Sequence, residues 1–179
     1  MPTPTDILIL TYEWEKVVQA SYNKYPNPVS QQVVMANPIR RHLVVKSENP
    51  NSPVLTSENL IFYKTNISKH IQNLFGIEQS YAVSHEKSKL DIDKRVLKLS
   101  TTNDLIAVNE TMCYSIHPDH EEKTLVKQNI SIKLLTLAFQ NIVEPMVLQL
   151  YKKGVNEGRS AIEWVISSLD KQLNVINMH

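Results

Sequence analysis

The spacing of hydrophobic residues changes several times along the chain, and each change marks a predicted element. Residues 7–12 are apolar and β-branched, which is typical of a strand. Residues 13–25 then place Trp14 and Val17 on one face at helical spacing. The run Tyr-Pro-Asn-Pro at residues 25–28 contains two prolines, which cannot continue a helix. The sequence therefore predicts a strand followed directly by an amphipathic helix.

An extended pattern returns after residue 33 and continues over most of the middle of the chain. Six segments carry it: 33–45, 54–63, 79–86, 93–101, 105–116 and 124–134. The turn cluster at 49–53 makes the first two a hairpin, and the polar turns between the later segments imply further antiparallel pairs. With residues 7–12, these segments predict an antiparallel sheet of seven strands.

A short helical pattern interrupts the strands at residues 67–77. Its apolar face consists of Ile67, Ile71, Leu74 and Phe75. A helix of about three turns is marginal alone and needs a surface to cover. Two interpretations remain open: a helix packed on the core, or a movable cover over a cavity.

The longest helical pattern lies in residues 135–176, where apolar positions recur at steps of three, four and seven. At about 1.5 Å per residue such a helix extends roughly 60 Å, and Pro145 is expected to bend it without ending the domain. Gly154 and Gly158 lie one turn apart and leave room for a second helix or an apolar ligand. The fold class is α+β: a curved seven-stranded antiparallel sheet wrapped around a long C-terminal helix, with a helix after strand one and a short lid helix after strand three. The space between sheet and helix is either filled by large side chains or left as an apolar tunnel.

Composition narrows the functional classes. A chain of 179 residues, 1–179, is expected to form a single domain. The formal charge is only +1, and Lys and Arg form no continuous basic segment that could neutralise a row of phosphates, so nucleic acid is not favoured as a partner. Cys113 is the only cysteine, so neither an internal disulfide nor a thiolate metal cluster is expected, and we interpret it as a small buried side chain. No apolar run is long enough to predict a membrane span or a secretory signal.

The sequence contains little that indicates catalysis. It has no glycine-rich phosphate loop, no nucleophile-elbow motif and no Cys-x-x-Cys pair, so we expect neither an enzyme nor a cofactor. The densest polar cluster runs from His117 to Glu122 and contains histidine and carboxylate side chains, which are ligands that zinc prefers. The same side chains could serve as the catalytic residues of a lipid hydrolase. Neighbouring residues around a proline seldom converge on one ion, so a solvated hairpin turn is the favoured interpretation.

Several motifs carry a family resemblance over nearly the whole chain. They are Trp14-Glu15, Lys24-Tyr25-Pro26-Asn27-Pro28, Arg41-His42, the segment from Ser115 to Asp119, Lys123-Thr124, Gly158-Arg159, Ala161 and Glu163-Trp164-Val165-Ile166. In this combination the chain resembles the PRELI-like family, including its slowmo-type members. The Tyr-Pro-Asn-Pro turn is the most specific element of the resemblance.

The resemblance implies phospholipid transfer in the mitochondrial intermembrane space. The cargo would be an anionic phospholipid, phosphatidic acid or phosphatidylserine, carried between the outer and inner mitochondrial membranes in the cavity between sheet and helix. The implied partners are a transient membrane surface and a small helical protein with twin Cys-x9-Cys motifs. The alternative within the same fold is a transfer-inactive lipid-binding or adaptor paralogue.

The resemblance also suggests site residues. Lys24, just before the Tyr-Pro-Asn-Pro turn, matches a basic position of the family and is the first head-group candidate; Lys64, Lys152 and Lys153 complete the set. Gly154 and Glu157 stand where many relatives place an Asn and a Lys on the last helix, and Glu157 would repel an anion. The segment 67–77, with Ile67, Ile71, Leu74 and Phe75, matches the family's lid.

Overall fold

The computed structural model describes residues 6–45, 53–64, 69, 73, 81–103, 108–132 and 140–176. Within them, seven strands form one curved sheet in which every neighbouring pair is antiparallel. The strands are β1 (Asp6–Leu10), β2 (Val33–Val44), β3 (Val54–Lys64), β4 (Tyr81–Asp91), β5 (Val96–Asn103), β6 (Val108–His117) and β7 (His120–Ile132), in the spatial order β1-β7-β6-β5-β4-β3-β2. The predicted seven-stranded antiparallel sheet is confirmed. The predicted lid helix, with Ile67, Ile71, Leu74 and Phe75, lies outside the described residues.

Helix α1 (Trp14–Tyr22) follows β1 as predicted, but it is shorter than the segment 13–25. It buries Trp14, Val17, Val18 and Ala20 against the sheet and the last helix. The helix ends at Tyr22, and the next residue, Asn23, donates its backbone N–H to the carbonyl of Ala20 at 3.1 Å. The helix therefore stops four residues before the first proline, and residues 23–28 form a separate turn.

Helix α2 (Gln140–Ile176) runs for 37 residues without interruption and passes through Pro145. Pro145 therefore does not end the helix. Its buried residues in the C-terminal half are Ala161, Ile162, Val165 and Ile166. Residues 153–160 contain no buried side chain, so only part of the helix is packed.

The hydrophobic core lies at one end of the sheet. Each strand turns alternate residues to the face that meets the helices, which we call the helix-facing side. At the packed end this side contributes Leu10, Leu90, Leu97, Leu99, Tyr114 and Val126. They contact α1 and residues 162–166 of α2, and this contact fixes the position of both helices.

Strand β2 forms one edge of the sheet and is the least buried strand. Most of its residues are exposed, including Ile39, Arg40 and Leu43. Its pairing with β3 shifts register twice, between Val33 and Met35 and again around Pro38. Proline is tolerated here because an edge strand leaves some of its N–H groups unpaired.

Candidate functional site

The turn after α1 holds Lys24 in place. The side-chain oxygen of Asn27 accepts hydrogen bonds from the backbone N–H groups of Val29 at 2.9 Å and Ser30 at 2.8 Å. Its side-chain amide donates to the carbonyl of Lys24. Asparagine is suited to this role because its short amide bonds backbone groups two or three residues away. The turn thus fixes the backbone of Lys24 and directs the residue toward the sheet.

A row of polar residues crosses the helix-facing side beyond the core. Asn59, Glu86, Thr101 and Glu110 are direct cross-strand neighbours on β3, β4, β5 and β6. The amide of Asn59 donates to Glu86 Oε1 at 3.1 Å. Gln128 on β7 donates through Nε2 to Glu110 Oε1. We call these five residues the polar row.

Lys24 lies buried beside this row, with 7% of its surface exposed. Burial lowers the pKa of Lys24, but attraction to Tyr25, Tyr114, Glu86 and Glu110 outweighs it, and the pKa is held above its ordinary value. Phenols are neutral at pH 7, so the two carboxylates provide the countercharge there. The ammonium also lies 4.7 Å from the ring centroid of Tyr25. The site therefore holds one permanent cation between two acidic groups.

Tyrosines contribute phenol groups to the interior of the fold. Burial raises the pKa of Tyr114 to about 12, although the charge of Lys24 acts in the opposite direction. Burial also raises the pKa of Tyr22 and of Tyr63, while their hydrogen bonds to Ser88 and Ser84 act against it. These phenols stay neutral at physiological pH and supply hydroxyl groups to the interior.

Arg41 adds a second cation at the open edge of this region. It is exposed on β2, with its guanidinium carbon 5.4 Å from the ring centroid of Tyr22. Its partner in the ladder is Ser57, which belongs to the helix-facing side. The site therefore has a buried cation, Lys24, and an exposed one, Arg41.

Of the other predicted head-group lysines, Lys64 and Lys153 are exposed at the surface. Lys64 is exposed at the end of β3, where strand alternation assigns it to the face opposite Tyr63. Lys153 is exposed on α2 and forms an ion pair with Glu157 at 3.7 Å. The side chain of Lys152 lies outside the described residues. The head-group role of all four lysines remains a prediction.

The glycines of α2 face open space. A Cβ built on Gly154 or Gly158 meets no atom within 4 Å in the described part of the chain. The spacing of the two glycines suggested either a second helix or an apolar ligand beside them. No second helix approaches them in the described part of the chain. Room for a ligand at this position remains.

The cluster from His117 to Glu122 is a solvent-exposed hairpin turn, as predicted. His117 ends β6 and His120 begins β7, with Pro118 and Asp119 between them. The backbone N–H of Asp119 donates to His117 Nδ1 at 3.2 Å, and His120 Nδ1 lies 3.3 Å from Glu122 Oε1. Among the residues that the structure describes, no group of three or more such side chains could hold a metal ion.

The polar row was missed by the sequence reasoning, which ended the fourth strand at Glu86. In the structure β4 continues to Asp91, and Ala82, Ser84, Glu86, Ser88 and Leu90 alternate with exposed residues. That alternation is present in the sequence, but the predicted strands leave residues 87–92 as a polar turn. Extending the strand by five residues would have placed Glu86 on the helix-facing side.

Together, the fold and the site define an α+β domain in which a sheet and two helices bury a charged interior site. Residues 15–172 match the PRELI-like family. The chain is 34% identical over 164 residues to Protein UPS2, mitochondrial, of Saccharomyces cerevisiae, an alignment that covers 87% of this chain and 68% of that protein. It is 24% identical over 163 residues to Protein slowmo homolog of Dictyostelium discoideum, covering 89% and 68%. The chain belongs to the PRELI-like family.

A solved structure confirms the fold class. The crystal structure of TTHA0849 from Thermus thermophilus matches with a TM-score of 0.61 at 11% identity, over 92% of this chain and 97% of that one. At this identity the likeness concerns the fold alone. Within the described residues, no helix is long and apolar enough to cross a membrane.

Proposed function

We propose that this protein transfers a phospholipid between membranes and binds it between the sheet and α2. The cargo is an anionic phospholipid, phosphatidic acid or phosphatidylserine. The proposed location is the mitochondrial intermembrane space, between the outer and inner membranes; the mitochondrial relative UPS2 supports the organelle. No covalent chemistry is required, so the proposal is a carrier and not an enzyme.

The buried Lys24 is the observation that carries this proposal. An interior ammonium that remains charged at neutral pH needs anionic partners, and a phosphate is suited to that role. Glu86 and Glu110 fill that role in the structure. A phosphate that enters the site must therefore compete with two carboxylates for Lys24.

The unpacked part of α2 gives the acyl chains a place. Residues 153–160 bury no side chain, and the space beside Gly154 and Gly158 is open in the described part of the chain. Each CH₂ group removed from water contributes about 0.8 kcal/mol. Acyl chains therefore provide most of the binding free energy, while the head group provides selectivity.

Loading and release require contact with a bilayer. We propose that the amphipathic segment 67–77 inserts Ile67, Ile71, Leu74 and Phe75 into the membrane interface, as other amphipathic helices do. Lys64, Lys152 and Lys153 then approach lipid head groups from the outside. A small helical protein with twin Cys-x9-Cys motifs is the proposed stabilising partner.

Native mass spectrometry of the purified protein, followed by lipid extraction, tests the proposal. We expect an anionic phospholipid at one molecule per chain, and a Lys24→Gln variant that loses it. Lys171→Gln, at an exposed position on α2, is the matched control and should retain the lipid. The absence of co-purified lipid, together with no transfer between liposomes, would contradict the proposal.

The adaptor alternative is supported by one contact. Lys153, a proposed head-group residue, is already paired with Glu157 at 3.7 Å. An adaptor would bind lipid without moving it. A liposome assay separates the two functions, since an adaptor retains a labelled lipid that a carrier delivers to acceptor vesicles.

A further inference from the structure

The outer face of the sheet, opposite the helices, carries lysines in a straight row. Lys89 on β4 is the direct neighbour of Lys98 on β5. Lys98 is opposite Cys113 on β6, and Cys113 is opposite Lys127 on β7. All three lysines are exposed, whereas Cys113 is half-buried, which corrects its expected burial. We call Lys89, Lys98 and Lys127 the lysine row.

This arrangement is unfavourable for the fold itself. Like charges directly opposite each other on neighbouring strands repel, and Lys89 and Lys98 are such a pair. Within the part of the chain that the structure describes, no lysine of the row forms an ion pair. The carboxylate of Asp91, two residues from Lys89, accepts the N–H of Lys94 at 3.2 Å. A local conflict without a structural gain indicates a binding role.

The neighbouring row of the same face is also basic. Arg40 on β2 and Lys87 on β4 flank Glu58 on β3 in the ladder. Glu58 lies 4.0 Å from Lys87 and 3.4 Å from His85. In the described part of these two rows, the basic side chains are Arg40, Lys87 and the three of the lysine row, and the one acidic side chain is Glu58. This excess of positive charge is local, because the whole chain has a net charge of only +1.

The spacing of the lysine row matches one side of an α-helix. Neighbouring strands are about 4.8 Å apart, so Lys98 and Lys127 lie about 5 and about 14 Å from Lys89 along the row. Residues i, i+4 and i+11 share a helix face and rise about 6 and about 16 Å. The long lysine side chains accommodate a difference of about 2 Å. A helix suits a sheet face better than a strand does, because it satisfies its own backbone.

A bilayer fits this face less well. Along the row, Cys113 is the one residue between the lysines, while Thr56 and Ile7 flank Lys89 and Lys127 at the two ends. Of these three residues, only Ile7 has a large apolar side chain that could insert into an apolar phase. Lys24 lies on the opposite side of the sheet, so a bilayer on the outer face would not reach the lipid site. Charge complementarity therefore favours an acidic protein segment.

We propose that the lysine row docks an acidic α-helix of a protein partner, lying across the strands with carboxylates at positions i, i+4 and i+11. This goes beyond the proposed function, because it assigns a docking surface and does not depend on lipid transfer. The contact is electrostatic and weakens as salt is added.

A synthetic helical peptide with Glu at these three positions, titrated against the full chain, tests the proposal. We expect Lys98→Glu to weaken peptide binding by about tenfold or more. The change removes the central lysine of the row, and the new carboxylate pairs with Lys89 and so competes with the peptide. The same change relieves the repulsion between Lys89 and Lys98, so Tm should not fall. Loss of binding without loss of stability separates a docking role from a structural one.

Lys171→Glu on α2 is the matched control, with the same charge change at another exposed position. It should leave peptide binding within about twofold of the parent chain. The proposal is overturned if Lys98→Glu and Lys171→Glu bind the peptide with the same affinity. It is also overturned if the parent chain binds a peptide with Glu residues distributed around the helix equally well. It is also overturned if vesicles containing phosphatidylglycerol, and not the peptide, depend on Lys98.

Discussion

The helix-facing side of the sheet has two halves of opposite chemistry, although the same strands form both. Leu90, Leu97 and Tyr114 belong to the packed half, while Glu86, Thr101 and Glu110 lie four residues further along the same three strands. The packed half is covered by α1 and the C-terminal part of α2. The polar half lies beside Lys24 and the turn at Asn27.

This difference separates what stabilises the fold from what serves function. Burying leucine on the packed half is favourable by about 2 kcal/mol for each side chain. Burying a lysine with two carboxylates offers a smaller gain, because the desolvation of all three charged groups offsets much of their attraction. The polar half is therefore the part of this face for which we propose a binding role. The following variants test that interpretation, and the largest expected effect comes first.

Lys24→Met should have the largest effect, because it leaves Glu86 and Glu110 buried without their cation. We expect a loss of about 3–5 kcal/mol in the free energy of unfolding at pH 7, measured by denaturation in urea. Adding Glu86→Gln and Glu110→Gln should restore stability but not lipid binding. Restored binding would show that Lys24 has only a structural role.

Leu97→Ala tests the packed half. Leu97 has 0% of its surface exposed, and its truncation should cost about 2–5 kcal/mol because a cavity remains. In contrast to the loss in Lys24→Met, this loss should not be reversed by adding Glu86→Gln and Glu110→Gln, as measured by denaturation in urea. Recovery of stability in that triple variant would contradict the separation of the two halves.

Tyr114→Phe tests the border between the halves. The pKa of Tyr114 is raised from 10.0 to about 12, so its neutral phenol stabilises the fold below pH 10. That contribution is lost as the pH rises through 12, and it amounts to about 2–3 kcal/mol. The parent chain should therefore lose more stability than Tyr114→Phe between pH 10 and 12. Thermal unfolding over this range measures the difference, and parallel curves would contradict the assignment.

Glu86→Gln should have the smallest effect on stability, because an amide oxygen can still accept from Asn59. We expect a change of about 1 kcal/mol or less in the free energy of unfolding. Removing one competing carboxylate should strengthen retention of an anionic phospholipid several-fold, as measured by displacement with a fluorescent lipid. Weaker retention would show that Glu86 contacts the cargo directly.

Hydrophobic spacing predicted the strands, α1 and α2 because each pattern has the period of its element. The ends were less accurate. The hydrogen bonds of Asn27 separate the turn from α1, so the helix stops at Tyr22 and not at residue 25. The lysines at 87 and 89 extend β4 because only one of its faces is buried.

The candidate site was predicted only in part. Lys24 came from the family resemblance, and the structure shows that it is buried. Glu110 and Gln128 could not be paired from sequence, because their contact depends on the register between β6 and β7. The sequence predicted that Lys153 could bind a lipid head group, but in the structure its ammonium forms an ion pair with Glu157.

The irregular pairing of β2 has a consequence for solubility. A long edge strand is a template on which other chains can add and form fibrous aggregates. Pro38 and the two register shifts interrupt the regular array of hydrogen-bonding groups that an incoming strand would need. This twelve-residue edge is therefore a poorer template for an incoming strand than a regular strand of the same length.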